Sequence, residues 1–370
     1  MPGPGRVETP IHALRARGYT IPTDRPEADG TMRWADTTLV LAEAEAGGMT
    51  GIGYTYSDAC IVPLIAGKLA DVINGHEAMD VAGAWDAMQR SVRNLGRQGL
   101  AATAISAVDA ALWDLKAKLL GLPLATLLGR RREAVPIYGS GGFTTYSDAE
   151  LHEQLARWVE EDGVSWVKMK VGAEPARDPH RVEVARAAIG DRADLFVDAN
   201  GACTRQQAVA FATKIIGLDV CWFEEPVSSD DLAGLRFVRQ HAPPGMEVAA
   251  GEYGYDIDYF RRMLESDAVD VQQADASRCG GVSGFLQVGA LCEAYHTDLS
   301  AHCAPAMHLH AACAAQRFRH LEWFHDHARI ERILFDGAPV PRDGLIRPDL
   351  SRPGHGLEFR HRDAERYAAA

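Results

Sequence analysis

From about residue 135 the chain alternates between short, nearly continuous apolar runs and longer stretches whose apolar residues recur at helical spacing. The runs Val135–Tyr138, Trp166–Val171, Asp194–Asp198, Val220–Glu224, Glu247–Ala250, Val269–Gln273, Leu299–Ala301 and His320–Trp323 predict eight strands. Helical patterns lie between them, for example Ser147–Glu161, Asp178–Ile189 and Thr204–Ile216. Ser147, Asp178 and Thr204 are the expected N-caps, and Pro179 suits a first helical position, where a missing N–H costs nothing. Strands separated by crossovers of this length predict a parallel sheet closed into a barrel. An open doubly wound sheet would call for Gly-x-Gly-x-x-Gly after an early strand, and the sequence has none there.

The first 130 residues follow another pattern. Thr37–Ala44 predicts a strand, and Gly47, Gly48, Gly51 and Gly53 mark turns before Tyr54-Thr55-Tyr56. Helical patterns follow at about Pro63–Ile73 and Ala101–Leu120, the latter ended by Gly121 and Pro123. Strands first and helices afterwards predict an α+β unit over residues 1–130, ahead of a barrel over 131–330. The segment 331–370, with Pro339, Pro341, Pro348 and Pro353, is expected to cross back over the first unit.

Composition narrows the function classes. A net charge of −13 without a basic stripe argues against a nucleic-acid surface. No stretch approaches the roughly 18 apolar residues of a membrane span, and the start lacks the apolar core of a signal peptide. Seven cysteines, an odd set without metal-ligand spacing, are expected to be free thiols in a reducing compartment, which points to the cytoplasm.

The candidate chemistry sits at the ends of the predicted barrel strands, the end that faces an active site in such folds. Lys168 and Lys170 alternate on one strand, so both ammonium groups point the same way. In a poorly solvated interior each is expected to lower the other's pKa, making a base usable near neutral pH. Asp198, Glu224, Glu252, Asp275, His302 and Glu322 follow at separations of roughly 20–28 residues, about one βα unit each. Asp198, Glu224 and Glu252 offer oxygen ligands from successive strands, which suits Mg2+. Asp275 and His302 end consecutive strands, where a carboxylate on one ring nitrogen would fix the tautomer and leave the other nitrogen to move a proton. Glu322, among apolar neighbours, is expected to stay protonated and donate to a developing oxyanion. Asn200 shares the Asp198 face and is a candidate ligand contact.

These residues in this order resemble the enolase superfamily, specifically its mandelate racemase subgroup. The likeness runs through Ile105–Leu115, Leu127-Leu128-Gly129, Lys168-Met169-Lys170, Val197-Asp198-Ala199-Asn200 and Phe223-Glu224-Glu225-Pro226. It continues in Ala250-Gly251-Glu252, Asp275–Val282, Ser300-Ala301-His302 and Leu321-Glu322-Trp323. Arg130 and Arg131, where a second glycine often follows, and the tail sequence Pro353-Gly354-His355-Gly356 depart from the pattern. The resemblance implies an α/β fold, a modified TIM barrel of (β/α)7β type with an N-terminal α+β capping domain. It implies Mg2+ on Asp198, Glu224 and Glu252, and Lys170 as base beside Lys168. The Asp275–His302 dyad would serve the other face of the substrate, with Glu322 at the enediolate.

The implied function is dehydration of an acid sugar, an aldonate or aldarate, to a 2-keto-3-deoxy acid. The alternative is a racemase or epimerase of a 2-hydroxy acid. The polar segment Arg15–Thr31 and the loop at Tyr54 are expected to meet the substrate, with Tyr19, Arg25 and Tyr54 as candidate contacts. The expected partners are a small-molecule carboxylate and a second copy of the chain, with neither nucleic acid nor membrane.

Overall fold

The computed structural model describes residues 8–369. Three antiparallel strands open it, β1 (Ala13–Ala28), β2 (Arg33–Ala46) and β3 (Met49–Tyr56), in the order β1-β2-β3. The tight β2–β3 turn is Gly47-Gly48, both at positive φ, a conformation that glycine adopts without strain. The sheet packs on the helix Leu100–Leu119 at unusually close range. A Cβ on Gly53 would lie 2.2 Å from the carbonyl oxygen of Ala107, so bare strand backbone rests directly on a helix rich in alanine.

Sequence patterning located β2, the Gly47-Gly48 turn and this helix, but passed over β1 and the helix Val81–Ser91. Gly51 and Gly53, expected in turns, lie inside β3 opposite Ala44 and Ala42. In β1, Leu14, Tyr19 and Ile21 are buried while Arg15, Arg17 and Thr23 face solvent. Its register also breaks between Pro22 and Glu27, which interrupts the two-residue period.

The barrel comprises β4 (Val135–Gly141), β5 (Trp166–Lys170), β6 (Asp194–Asp198), β7 (Val220–Glu224), β8 (Glu247–Ala250), β9 (Val271–Ala274), β10 (Asp298–Ala301) and β11 (Phe318–Phe324). All eight are parallel and in sequence order, and β11 closes on β4 with Leu321 opposite Ile137. The short segment Leu345–Ile346 adds an antiparallel strand at the entry of β4. Helices cross between successive strands, and a further helix, His325–Leu334, follows β11. Ser147 and Thr204 form the anticipated N-caps, each completed as a capping box by Glu150 and Gln207. Asp178 does not cap: the helix starts on Asp178 itself, whose carboxylate instead accepts the Gly172 N–H at 2.8 Å.

The barrel interior is filled by Tyr138, Phe196, Trp222, Ala249 and Val271, with Phe196 and Trp222 stacked 5.0 Å apart. His320, hydrogen-bonded to Ser300, packs among these rings, and the ionisable groups of the site gather above them at the carboxyl ends of the strands. Beyond residue 334 the chain runs back along the first sheet. Ala369 N donates to the Gly18 carbonyl at 2.9 Å, and His355 N donates to Asp114 of the long helix at 2.7 Å. Among the described residues no helix is long and apolar enough to cross a membrane, and all seven cysteines are free thiols.

Candidate active site

Strand register fixes the first part of the site. Lys170 lies opposite Asp198 and Asp198 opposite Glu224, so neighbouring strands deliver their polar ends at one level. Lys168, Asp198 and Glu224 are completely buried, and Lys170, Glu252, Asp275, His302 and Glu322 nearly so. Ligand oxygens of Asp198, Glu224 and Glu252 all lie within 4.8 Å of one another. Lys170 Nζ donates to Asp198 Oδ2 at 2.5 Å. Lys168 Nζ contacts Glu224 Oε1, and reaches Glu322 Oε1 at 2.8 Å and Asp198 Oδ2 at 3.4 Å.

The two lysines thus share one dry space, and Lys168 does lower the pKa of Lys170, but the surrounding acids decide the net shift of both. Burial pushes both pKa values down, and Lys168 adds to that at Lys170; the carboxylates, led by Glu224 and Glu322 at Lys168 and by Asp198 with Glu252 and Glu322 at Lys170, outweigh it. Both stand above the ordinary lysine value, correcting the expectation of a mutually depressed pair. Burial pushes Glu224 up to about 8, helped by the charge on Asp198. Asp198 is held below the usual carboxylate range because Lys170 and Lys168 together outweigh its burial.

The set fits a hard divalent cation. Glu252 Oε2 and Asn200 Oδ1 are buried without a hydrogen-bond partner; Glu252 belongs to the oxygen cluster, and Asn200 lines the same cavity. Unpaired buried carboxylate oxygens are costly unless a cation takes them up, and an all-oxygen donor set suits magnesium. Glu225, next in the chain, is also buried with an unpartnered Oε1, in a left-handed conformation at φ 37°. Burial and the neighbouring carboxylates of Glu252 and Asp198 push its pKa well above the usual range.

His302 occupies another quarter of the ring, its Nδ1 2.8 Å from Asp275 Oδ2. Burial lowers its pKa, but Glu252, Glu322 and the Asp275 hydrogen bond raise it further, so the net shift is upward. Its Nε2 is 3.5 Å from Glu252 Oε1 and faces the cavity. Glu322 differs from expectation. Burial favours its neutral form, yet Lys168, His302 and Lys170 reverse this and hold it well below the usual range. It accepts from Ser140 Oγ at 2.6 Å and from Cys303 N at 2.9 Å, so it is an ionised acceptor and not a protonated donor.

A cavity of about 290 Å3 opens over these groups. Lys170, Asn200, Glu252, Arg278, His302 and Glu322 line it from the barrel; Asp29, Trp34, Asp36, Thr38 and Tyr56 line it from the first domain. Lys168 lies beneath the surface. Three anticipated substrate contacts are not brought here. Tyr19 packs on Phe359 and lines a separate cavity of about 470 Å3 beside Cys60 and Ala368. Arg25 pairs with Glu150 at 3.2 Å in a neighbouring cleft. Tyr54 is buried one strand pair deeper, donating to Glu331 Oε1 at 2.6 Å, and it is Tyr56 on the same face that reaches the opening. That i, i+2 relation was available in the sequence. Trp34 had no such signal: it borders the cavity because its indole donates to the buried Glu27 at 2.7 Å and its ring sits edge-on to Phe143.

Comparison with known proteins agrees with this geometry. The mandelate racemase / muconate lactonizing enzyme N-terminal domain matches residues 21–129, and the enolase C-terminal domain-like family matches residues 150–364. L-talarate/galactarate dehydratase of Salmonella typhimurium is 32% identical over 339 residues, 88% of this chain and 80% of that protein. A mandelate racemase/muconate lactonizing enzyme-like protein from Rubrobacter xylanophilus superposes with a TM-score of 0.95 at 49% identity, covering 97% of this chain and all of that one. A racemase from Streptomyces coelicolor with bound magnesium superposes with a TM-score of 0.91 at 30% identity, covering 97% of this chain and 100% of the other.

Proposed function

The chain belongs to the mandelate racemase / muconate lactonizing enzyme family of the enolase superfamily, and we propose that it is a magnesium-dependent hydro-lyase that dehydrates an acid sugar to a 2-keto-3-deoxy acid. The observation that carries this reading is the pairing, over one cavity, of Lys170 with an Asp275–His302 dyad around a three-carboxylate cluster. Strands β5 and β10 stand three places apart one way round the closed eight-strand sheet and five the other, so the two groups approach from nearly opposite sides.

Asp198, Glu224 and Glu252 would hold the cation, with Asn200 beside them. When bound, magnesium supplies positive charge that offsets the carboxylates and stabilises the second negative charge of an enediolate. Lys170, once deprotonated, takes the proton α to the substrate carboxylate. Lys168, fixed between Glu224 and Glu322, directs a permanent ammonium toward the enediolate. His302, whose raised pKa favours the imidazolium, gives a proton to the hydroxyl on the β-carbon; the C–O bond breaks and water leaves. The resulting enol becomes the 2-keto acid. Glu322 acts by anchoring Lys168 and the Cys303 N–H.

The first-domain lining favours an uncharged polyol tail. Among the described residues it contributes Asp29, Asp36 and hydroxyls to the cavity, and no lysine or arginine, so aldonates suit it better than aldarates. Dehydratases among the relatives support the lyase reading; the magnesium-bound racemase supports racemisation as a second one. A screen of aldonates and aldarates with magnesium for 2-keto acid separates them. Keto acid from at least one aldonate is expected, and exchange of the α-proton with no keto product overturns the lyase reading in favour of the racemase.

A further inference from the structure

Next to the all-oxygen cluster the cavity holds a second set of ligand atoms of different chemistry. Cys303 Sγ is 3.2 Å from His302 Nε2 and 3.4 Å from Glu322 Oε2, and those two atoms are 3.7 Å apart. In a tetrahedral zinc site, bonds of about 2.3 Å to sulfur and about 2.0–2.1 Å to nitrogen or oxygen place neighbouring ligands roughly 3.3–3.6 Å apart. The three observed edges fall close to that triangle without any rearrangement of the chain.

The surroundings also hold these atoms ready. Asp275 takes Nδ1 of His302, leaving Nε2 free to face inward. Ser140 and Lys168 take Oε1 of Glu322, while Oε2 accepts the Cys303 N–H at 2.9 Å and keeps a second lone pair on the sulfur side. Cys303 and Ala304 both have positive φ, at 52° and 39°, a conformation that non-glycine residues rarely adopt twice in succession. That turn folds the thiol back against the preceding histidine. All three residues border the cavity, so a fourth position is open to water.

We propose that His302, Cys303 and Glu322 form a binding site for a thiophilic divalent cation of the zinc or cadmium class, separate from the hard-cation cluster of Asp198, Glu224 and Glu252. On binding, the thiol proton passes to solvent and the sulfur coordinates as thiolate. Such an ion occupies Nε2 of His302 and removes it from proton transfer, so the site is inhibitory. This last consequence rests on the acid–base role proposed for His302; the binding site itself does not.

The test titrates the full-length protein with cobalt(II) in saturating magnesium, following the thiolate-to-cobalt charge-transfer absorption. Wild type and Cys221→Ser are expected to show the band at one ion per chain, and Cys303→Ser to lack it. No band in wild type, or a band that survives in Cys303→Ser, overturns the proposal. A wild-type measurement covers the case of a misfolded variant. Zinc should protect Cys303 from alkylation, as mapped by mass spectrometry of the peptides, and protection of a different cysteine or of none contradicts the site. Turnover measured alongside should fall in step with the ion bound. If turnover is absent before zinc is added, the proposed lyase function fails while the spectroscopic result still decides the site.

Discussion

Two rims meet over the cavity, and they are built by different rules. On the barrel side the lysines and carboxylates of the site sit at or just beyond the ends of hydrogen-bonded strands, and register sets their height, as with Lys170, Asp198 and Glu224. On the first-domain side the lining comes from Asp29 and Met32 in the connection between β1 and β2, from the first residues of β2 and from the end of β3, next to a break in strand register. The first rim is a rigid lattice suited to fixed acid–base geometry. The second is a set of loop and strand ends whose side chains change without disturbing that lattice. Chemistry and substrate choice are thereby separated in space.

If the barrel rim carries the chemistry, its substitutions should have the largest effects. Lys170→Ala and His302→Asn are each expected to lower kcat by about 10²–10⁴-fold, measured as keto-acid formation, with the thermal transition little changed. Lys168→Met should lower kcat too, and unlike those two it should also cost stability. It leaves the buried carboxylates of Glu224 and Glu322 without their shared cation, a loss of about 3–5 kcal/mol in denaturant unfolding.

The first-domain rim should respond in KM. Trp34→Ala is expected to raise KM on the order of tenfold and to alter the ranking of substrates, with a smaller change in kcat. Tyr54→Phe sharpens the contrast. It should leave KM alone and cost about 1–3 kcal/mol of stability, because Glu331 loses its buried donor. An equal rise in KM for Tyr54→Phe and Trp34→Ala would erase the distinction between lining and support.

A smaller effect is expected where the two regions join. Asp109, on the long first-domain helix, accepts from Ser283 N at 2.9 Å and Oγ at 2.7 Å, and burial pushes its pKa up to about 7. A raised folded-state value means the stabilising form is protonated. Its contribution is complete below the ordinary aspartate range near 4 and is lost as pH rises through about 7. Asp109→Asn should therefore gain a few degrees in Tm relative to wild type between pH 4 and 8, and a constant difference across that range would contradict the shift.

The same contrast explains what the sequence could reveal. The barrel was legible because its strands are short apolar runs, from β5 onward with an ionisable residue at or near the carboxyl end, and the spacing of one βα unit repeats from Lys170 to Glu322. β1 was not, since its charged outer face and Pro22 mask the buried Leu14, Tyr19 and Ile21. The placement of His302 against Asp275 followed from consecutive strand ends. The charge states did not follow, because Lys168 on β5 holds the pKa of Glu322 on β11 down through a contact over β4 that no local pattern reveals. The Cys303 triangle was likewise invisible, as residues 302, 303 and 322 have no metal-ligand spacing in the chain.

The central claim is that one cavity removes an α-proton on the Lys170 side and expels a hydroxyl with help from His302. Incubating the magnesium-loaded protein with aldonates in heavy water, followed by NMR, tests it most directly. The account predicts a 2-keto-3-deoxy acid carrying solvent deuterium at C3, formed by wild type and lost in both Lys170→Ala and His302→Asn. Deuterium appearing at C2 of unchanged or inverted substrate, with no keto acid, would contradict it.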